Sequence, residues 1–148
     1  MVRPVAHLAL VGAVAYMGLC ALVLVGGGEA IARAFTEDVD VIVVAGRLFM
    51  VAALFQVFDA AYMVARSALR GVGDVRVPAV VCVALSWLST PPLMWLLGYH
   101  CGLGALGGWI GLCVELSVGA GLLWWRLERS AWRPAAARAR AEREAVAA

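Results

Sequence analysis

Residues 41–69 read VIVVAGRLFMVAALFQVFDAAYMVARSAL, an apolar run broken by Arg47, Gln56, Asp59 and Arg66. A helix crosses the hydrocarbon core of a bilayer with about 20 residues at a rise of about 1.5 Å each. This run exceeds that length by several residues, so its ends emerge from the hydrocarbon or the helix tilts. Asp59 then lies about 15 Å inside the end at Leu69, near the midplane. A carboxylate there costs about 2.5–3.5 kcal/mol on an insertion scale, so Asp59 is expected to face a polar cavity or a partner and not lipid. Gln56, Met63 and Arg66 share its helix face. Asp59 is either a structural hydrogen-bonding group, with Ser86, Ser89 or Thr90 as partner, or a binding site for a cation or proton.

Three more runs of the same kind flank this one, over 5–25, 77–99 and 103–127. The chain of 148 residues is 64% hydrophobic with a mean hydropathy of +0.91, outside the range of a water-soluble core. The fold class is therefore an all-α integral membrane protein with four transmembrane helices in residues 1–129, followed by a basic Ala/Arg-rich tail over 130–148. The first run competes with a cleaved signal peptide, but it is too long for a usual h-region. Arg3 precedes the first helix, Arg66, Arg70 and Arg76 surround the turn between the second and third, and Arg126, Arg129 and Arg133 follow the fourth. These positions place both termini in the cytoplasm. The connection from Gly26 to Asp40, with Glu29, Glu37, Asp38 and Asp40, faces outward as a solvated loop or a short amphipathic turn. The tail alternates Ala with charge beyond a helix stop at Pro134 and reads as a solvated segment, with a frayed helix touching anionic lipid as the alternative.

A net charge of +2 gives no footprint for nucleic acid. Cys20, Cys82, Cys101 and Cys113 have no C-x-x-C spacing, and His100 beside Cys101 makes no coordination sphere, so neither metal nor cofactor is expected. No nucleophile with a base appears, which argues against an enzyme. Glu115 is a second intramembrane carboxylate, flanked one turn away by Gly111 and Gly119, small residues that let another helix approach. A structural Glu and a functional partner of Asp59 are both open; with Met63 it is a secondary site candidate. Pro91 and Pro92 remove two amide donors from the middle of the third helix and predict a kink or break there. Gly104 with Gly108, and Gly107 with Gly111, predict close helix contact.

Read in order, these pieces resemble the end of a multidrug and toxic compound extrusion (MATE) transporter. Phe35-Thr36 with Asp38 and Val41 resembles the acidic opening of that family's tenth helix, and Phe55-Gln56-x-Phe58-Asp59 its middle. Leu69-Arg70-Gly71-Val72-Gly73-Asp74 resembles the L-R-G-x-G-D turn that follows. Trp87 with Pro92 fits the next helix, and Gly104-x-x-Gly107-x-Trp109-x-Gly111 is similar to the opening of the twelfth.

The resemblance implies part of the second lobe of an antiporter that exports organic cations and drugs across the bacterial inner membrane, driven by sodium or proton entry. It implies cation coupling at Asp59 with Gln56, and a cytoplasmic turn at Arg70, Gly71, Gly73 and Asp74. Such transporters have about twelve helices in two lobes, and the four here correspond to the last four. A truncated gene, a split gene with a separately encoded first lobe, or a misplaced start is the expectation, and transport by this chain alone is not. Pro91 and Glu115 do not match the family pattern. A dimeric small multidrug exporter would need a carboxylate in the first helix, which has none; a membrane scaffold or subunit, or a flippase of the same superfamily, are the other readings.

Overall fold

In the computed structural model of the chain, residues 2–147 are described. α1 (Val2–Arg33) and α2 (Val39–Gly71) form a hairpin. The third span comprises α3 (Arg76–Leu88), a single turn α4 (Thr90–Leu93) and a π-helical segment (Met94–His100). It returns through Cys101–Gly104 to α5 (Ala105–Glu128), and α6 (Arg133–Ala147) closes the chain. Among the described residues, four helical segments are long and apolar enough to cross a membrane.

Small residues lie inside and large apolar ones outside. The buried positions include Ala6, Ala53, Ala60, Ala65, Gly111 and Ala120, while Leu8, Leu22, Trp87 and Leu88 are each more than 70% exposed. That distribution is unstable in water and suits lipid, where helices associate by close backbone packing and not by the hydrophobic effect. Among the described residues, fully buried Leu69, Leu123, Leu127 and Ala65 pack with buried Tyr62, Ala120 and Ala6 in an apolar cluster where α2 and α5 meet beside the start of α1.

α1 continues to Arg33 through Gly26, Gly27 and Gly28, past the expected end at Val25, so the expected outer loop shrinks to Ala34–Asp38. The extension buries Gly28 and Ala32 and carries an exposed i,i+4 pair between Glu29 and Arg33 at 3.1 Å. It also rests on Gly28, whose missing Cβ would stand 3.1 Å from the ring of Phe49 on α2. Asp38 then caps α2 by accepting from the amides of Asp40 at 2.9 Å and Val41 at 3.4 Å.

The third span is interrupted at Ser89. In a continuous helix the amides of residues 91 and 92 would serve the carbonyls of Trp87 and Leu88, and proline has no amide proton to give. The widened segment that follows leads into glycine-mediated packing on α5. A Cβ on Gly107 would lie 2.5 Å from the backbone of Leu97 and Gly98.

The stretch read as a solvated tail is helical in the structure. Pro134 occupies the first turn of α6, where its missing amide leaves no bond unmade, so it starts a helix instead of stopping one. Ala136 is buried, and Trp132 donates its indole proton to the Leu127 carbonyl at 3.3 Å.

Candidate functional site

α2 buries Ala53, Ala60, Tyr62, Ala65 and Leu69. Gln56 and Asp59 border that face and are half-buried, and neither side chain is hydrogen-bonded to another described residue. Met63 is half-exposed and lines an apolar groove of about 610 Å³ between α2 and the first turns of α1. Arg66 is half-buried a turn further on.

The hydroxyls expected near Asp59 serve a different acid. Ser86 Oγ donates to one carboxylate oxygen of Glu115 at 2.9 Å, and Thr90 Oγ1 donates to the other. Glu115 therefore ties α5 to both sides of the break in the third span, and the residues around Pro91 and Pro92, themselves exposed, are held by that bridge. Gly111 and Gly119 let the third span come close: a Cβ on the first would meet Leu93 at 3.3 Å, and one on the second would meet Leu85 at 3.2 Å, as well as the Tyr62 ring of α2 at 2.8 Å.

α2 and α5 run parallel. Cys113 lies against the Val51 carbonyl, Trp124 Nε1 donates to the Ala61 carbonyl at 2.9 Å, and Phe55 meets Trp109 edge to face. Asp59 lies two residues before the Ala61 contact and Glu115 two residues after the Cys113 contact, so both carboxylates fall within the contacting stretches of these neighbouring helices.

The turn after α2 has a tight hydrogen-bonded form. The Asp74 amide donates to the Leu69 carbonyl and the Gly73 amide to the Arg70 carbonyl, both at 3.0 Å, the pairing of a Schellman motif. Gly73 sits at φ +92°, where a side chain is strained, and its missing Cβ would stand 2.6 Å from that of Ala139 on α6. Asp74 is 2% exposed, and Arg126 Nε of α5 donates to it at 2.6 Å. Arg70 and Gly71 are exposed.

A second polar cluster at this end has no counterpart in the sequence reading. His7 Nε2 lies 2.7 Å from a carboxylate oxygen of Glu128, and Arg3 donates to the Glu128 carbonyl and to Ser130 Oγ. His7 also stacks on Trp124 at 5.3 Å. These residues are more than a hundred positions apart, and no local pattern announces such a pairing. Arg126 has a weaker signal, since it stands in the last turn of an apolar helix, but nothing in the sequence selects Asp74 as its partner.

Fold and site together define a multi-pass helical membrane protein with two acidic side chains in its membrane-spanning helices. The chain belongs to the MATE family: the family's profile, MatE, matches residues 1–96. It is 45% identical over 82 residues to the probable multidrug resistance protein NorM of Rhodopseudomonas palustris, covering 55% of this chain and 17% of that one. Proteins of the same name from Mesorhizobium japonicum and Bacillus licheniformis are 39% identical over 126 residues and 32% over 127. Those matches cover 80% and 86% of this chain and 27% and 28% of the relatives. The chain thus spans about a quarter of the length of the curated relatives it matches.

Proposed function

We propose that these helices act as part of the second lobe of a cation-coupled multidrug exporter in the bacterial inner membrane, with both termini in the cytoplasm. In this reading the helices are the counterparts of the last four in a whole transporter, and drugs or organic cations are the cargo. Asp59, assisted by Gln56, takes up the coupling sodium ion or proton.

The observation that carries this reading is the contrast between the two acids. Both oxygens of Glu115 are occupied by hydroxyls, which suits a fixed bridge between helices. Asp59, on the neighbouring helix, has no hydrogen-bonding partner among the described residues and keeps its oxygens for a cation. Charging and discharging a carboxylate inside a bundle changes the cost of its surroundings, and so shifts the balance between inward-open and outward-open states. Glu115 then serves to position the broken span, and Met63, on the groove beside α1, has no part in coupling.

The test is a chimera in which this chain replaces the matching segment of the Mesorhizobium japonicum relative, assayed for dye efflux in a pump-deficient host. Efflux by the chimera that disappears with Asp59→Asn, and survives Glu115→Gln, is the expected result. Efflux that persists at full rate with Asp59→Asn would overturn the assignment. The 148-residue chain expressed alone is expected to give no efflux.

A further inference from the structure

Two cavities border the turn after α2. The first, the apolar groove of about 610 Å³, runs between α1 and α2 from Val5 and Met63 down to Gly71 and Val72. The second, about 640 Å³, begins at Arg70 and Gly73 and is lined by Arg76 of α3 and by Arg138 and Glu142 of α6. Asp74 also borders it, but its charge is already met by Arg126. Arg70, Arg76 and Arg138 form no ion pair among the described residues, so three guanidinium groups from three elements face one carboxylate.

The level of this basic pocket in the bilayer follows from its neighbours. Arg70 is the penultimate residue of α2. At the matching end of α5, exposed Trp125 carries Arg129 over its ring at 4.8 Å, and Trp132 lies just beyond. Tryptophan and arginine gather in this way where a helix leaves the hydrocarbon for the headgroups. A basic pocket at that level, on the other side of the same turn from an apolar groove that runs along α1 and α2, offers a polar and a greasy half to a single ligand that reaches across the turn. We infer that this turn is a binding site for an anionic phospholipid, its phosphate held by Arg70, Arg76 and Arg138 and an acyl chain lying along the groove between α1 and α2. Arginine suits this role because its planar fork can hold two phosphate oxygens at once. Free phosphate carries the same anionic chemistry, but it leaves the groove empty.

Native mass spectrometry of the 148-residue chain in neutral detergent, titrated with phosphatidylglycerol, phosphatidylcholine and glycerol phosphate, tests the site. Phosphatidylglycerol is expected to bind at least about tenfold more tightly than phosphatidylcholine. Arg70→Gln, Arg76→Gln and Arg138→Gln should each weaken it about fivefold, and Arg33→Gln at the opposite end should leave it unchanged. Circular dichroism of each variant separates a lost site from a lost fold, and the expected spectra are those of the parent. Equal binding of the two lipids, equal loss with Arg33→Gln, or glycerol phosphate binding as tightly as the lipid would each overturn the inference.

Discussion

Asp74 and Arg126 show what one pair of side chains does for this bundle. Asp74 is 2% exposed, and Arg126 is the group that offsets the cost of its burial. Removing one partner of such a pair strands the other, at a cost of about 3 kcal/mol or more. Arg126→Gln and Asp74→Asn are each expected to lower the melting temperature in detergent, and the double variant should be less destabilised than the sum of the two. Additive losses would mean that the residues act separately. Gly73 belongs to the same turn, and Gly73→Ala meets both a left-handed backbone and the Ala139 side chain. Loosened contact of α6, read as faster proteolysis within residues 133–147, is the expected effect. The sequence displays the glycines and the acid of this turn, but not why they stand there: the reasons are a φ of +92° and a partner on α5 fifty-two residues away.

Elements are more legible than pairings. Hydropathy alone locates the four spans, because each must be apolar along its whole length. Pro91 and Pro92 announce the break, because proline has no amide proton to give to the carbonyls one turn earlier. What hydropathy cannot reveal is where a helix stops once it has left the hydrocarbon: α1 continues to Arg33 with Gly28 and Ala32 buried, Gly28 against Phe49 of α2, and α6 forms where composition favours a solvated tail. The small residues of α5 were readable as a contact face, but their partner, the π-helical segment, was not. Gly107→Val should be poorly tolerated, since the Leu97 backbone leaves no room for a side chain. The expected result is loss of folded protein on size-exclusion chromatography, whereas Gly121→Ala, with open space around it, should elute as the parent does. Thr90→Val removes one of the two hydroxyls on Glu115 and is expected to cost about 1–3 kcal/mol, measured by thermal unfolding.

For the whole molecule the proposed orientation has a direct check. Cys101 is exposed in the turn between the third and fourth spans, Cys113 is buried, and Cys20 and Cys82 are partly buried within spans. A membrane-impermeant maleimide should label Cys101 in intact spheroplasts and fail to label a Cys101→Ser variant. Labelling of Cys101 only after lysis would reverse the topology. The charged contacts between spans are unevenly distributed along the bundle. Asp74 with Arg126, and Glu128 with Arg3 and His7, bind the ends of α1, α2 and α5 at one membrane face. At the other face no charged contact joins the two helical hairpins among the described residues, and each hairpin is closed within itself by a glycine, Gly28 in one and Gly107 in the other. The charged ties therefore sit at one end of a bundle whose other half is joined by uncharged contacts such as Phe55 on Trp109, and in detergent its amide exchange should begin around Phe35 and Cys101 and reach the ionic end last.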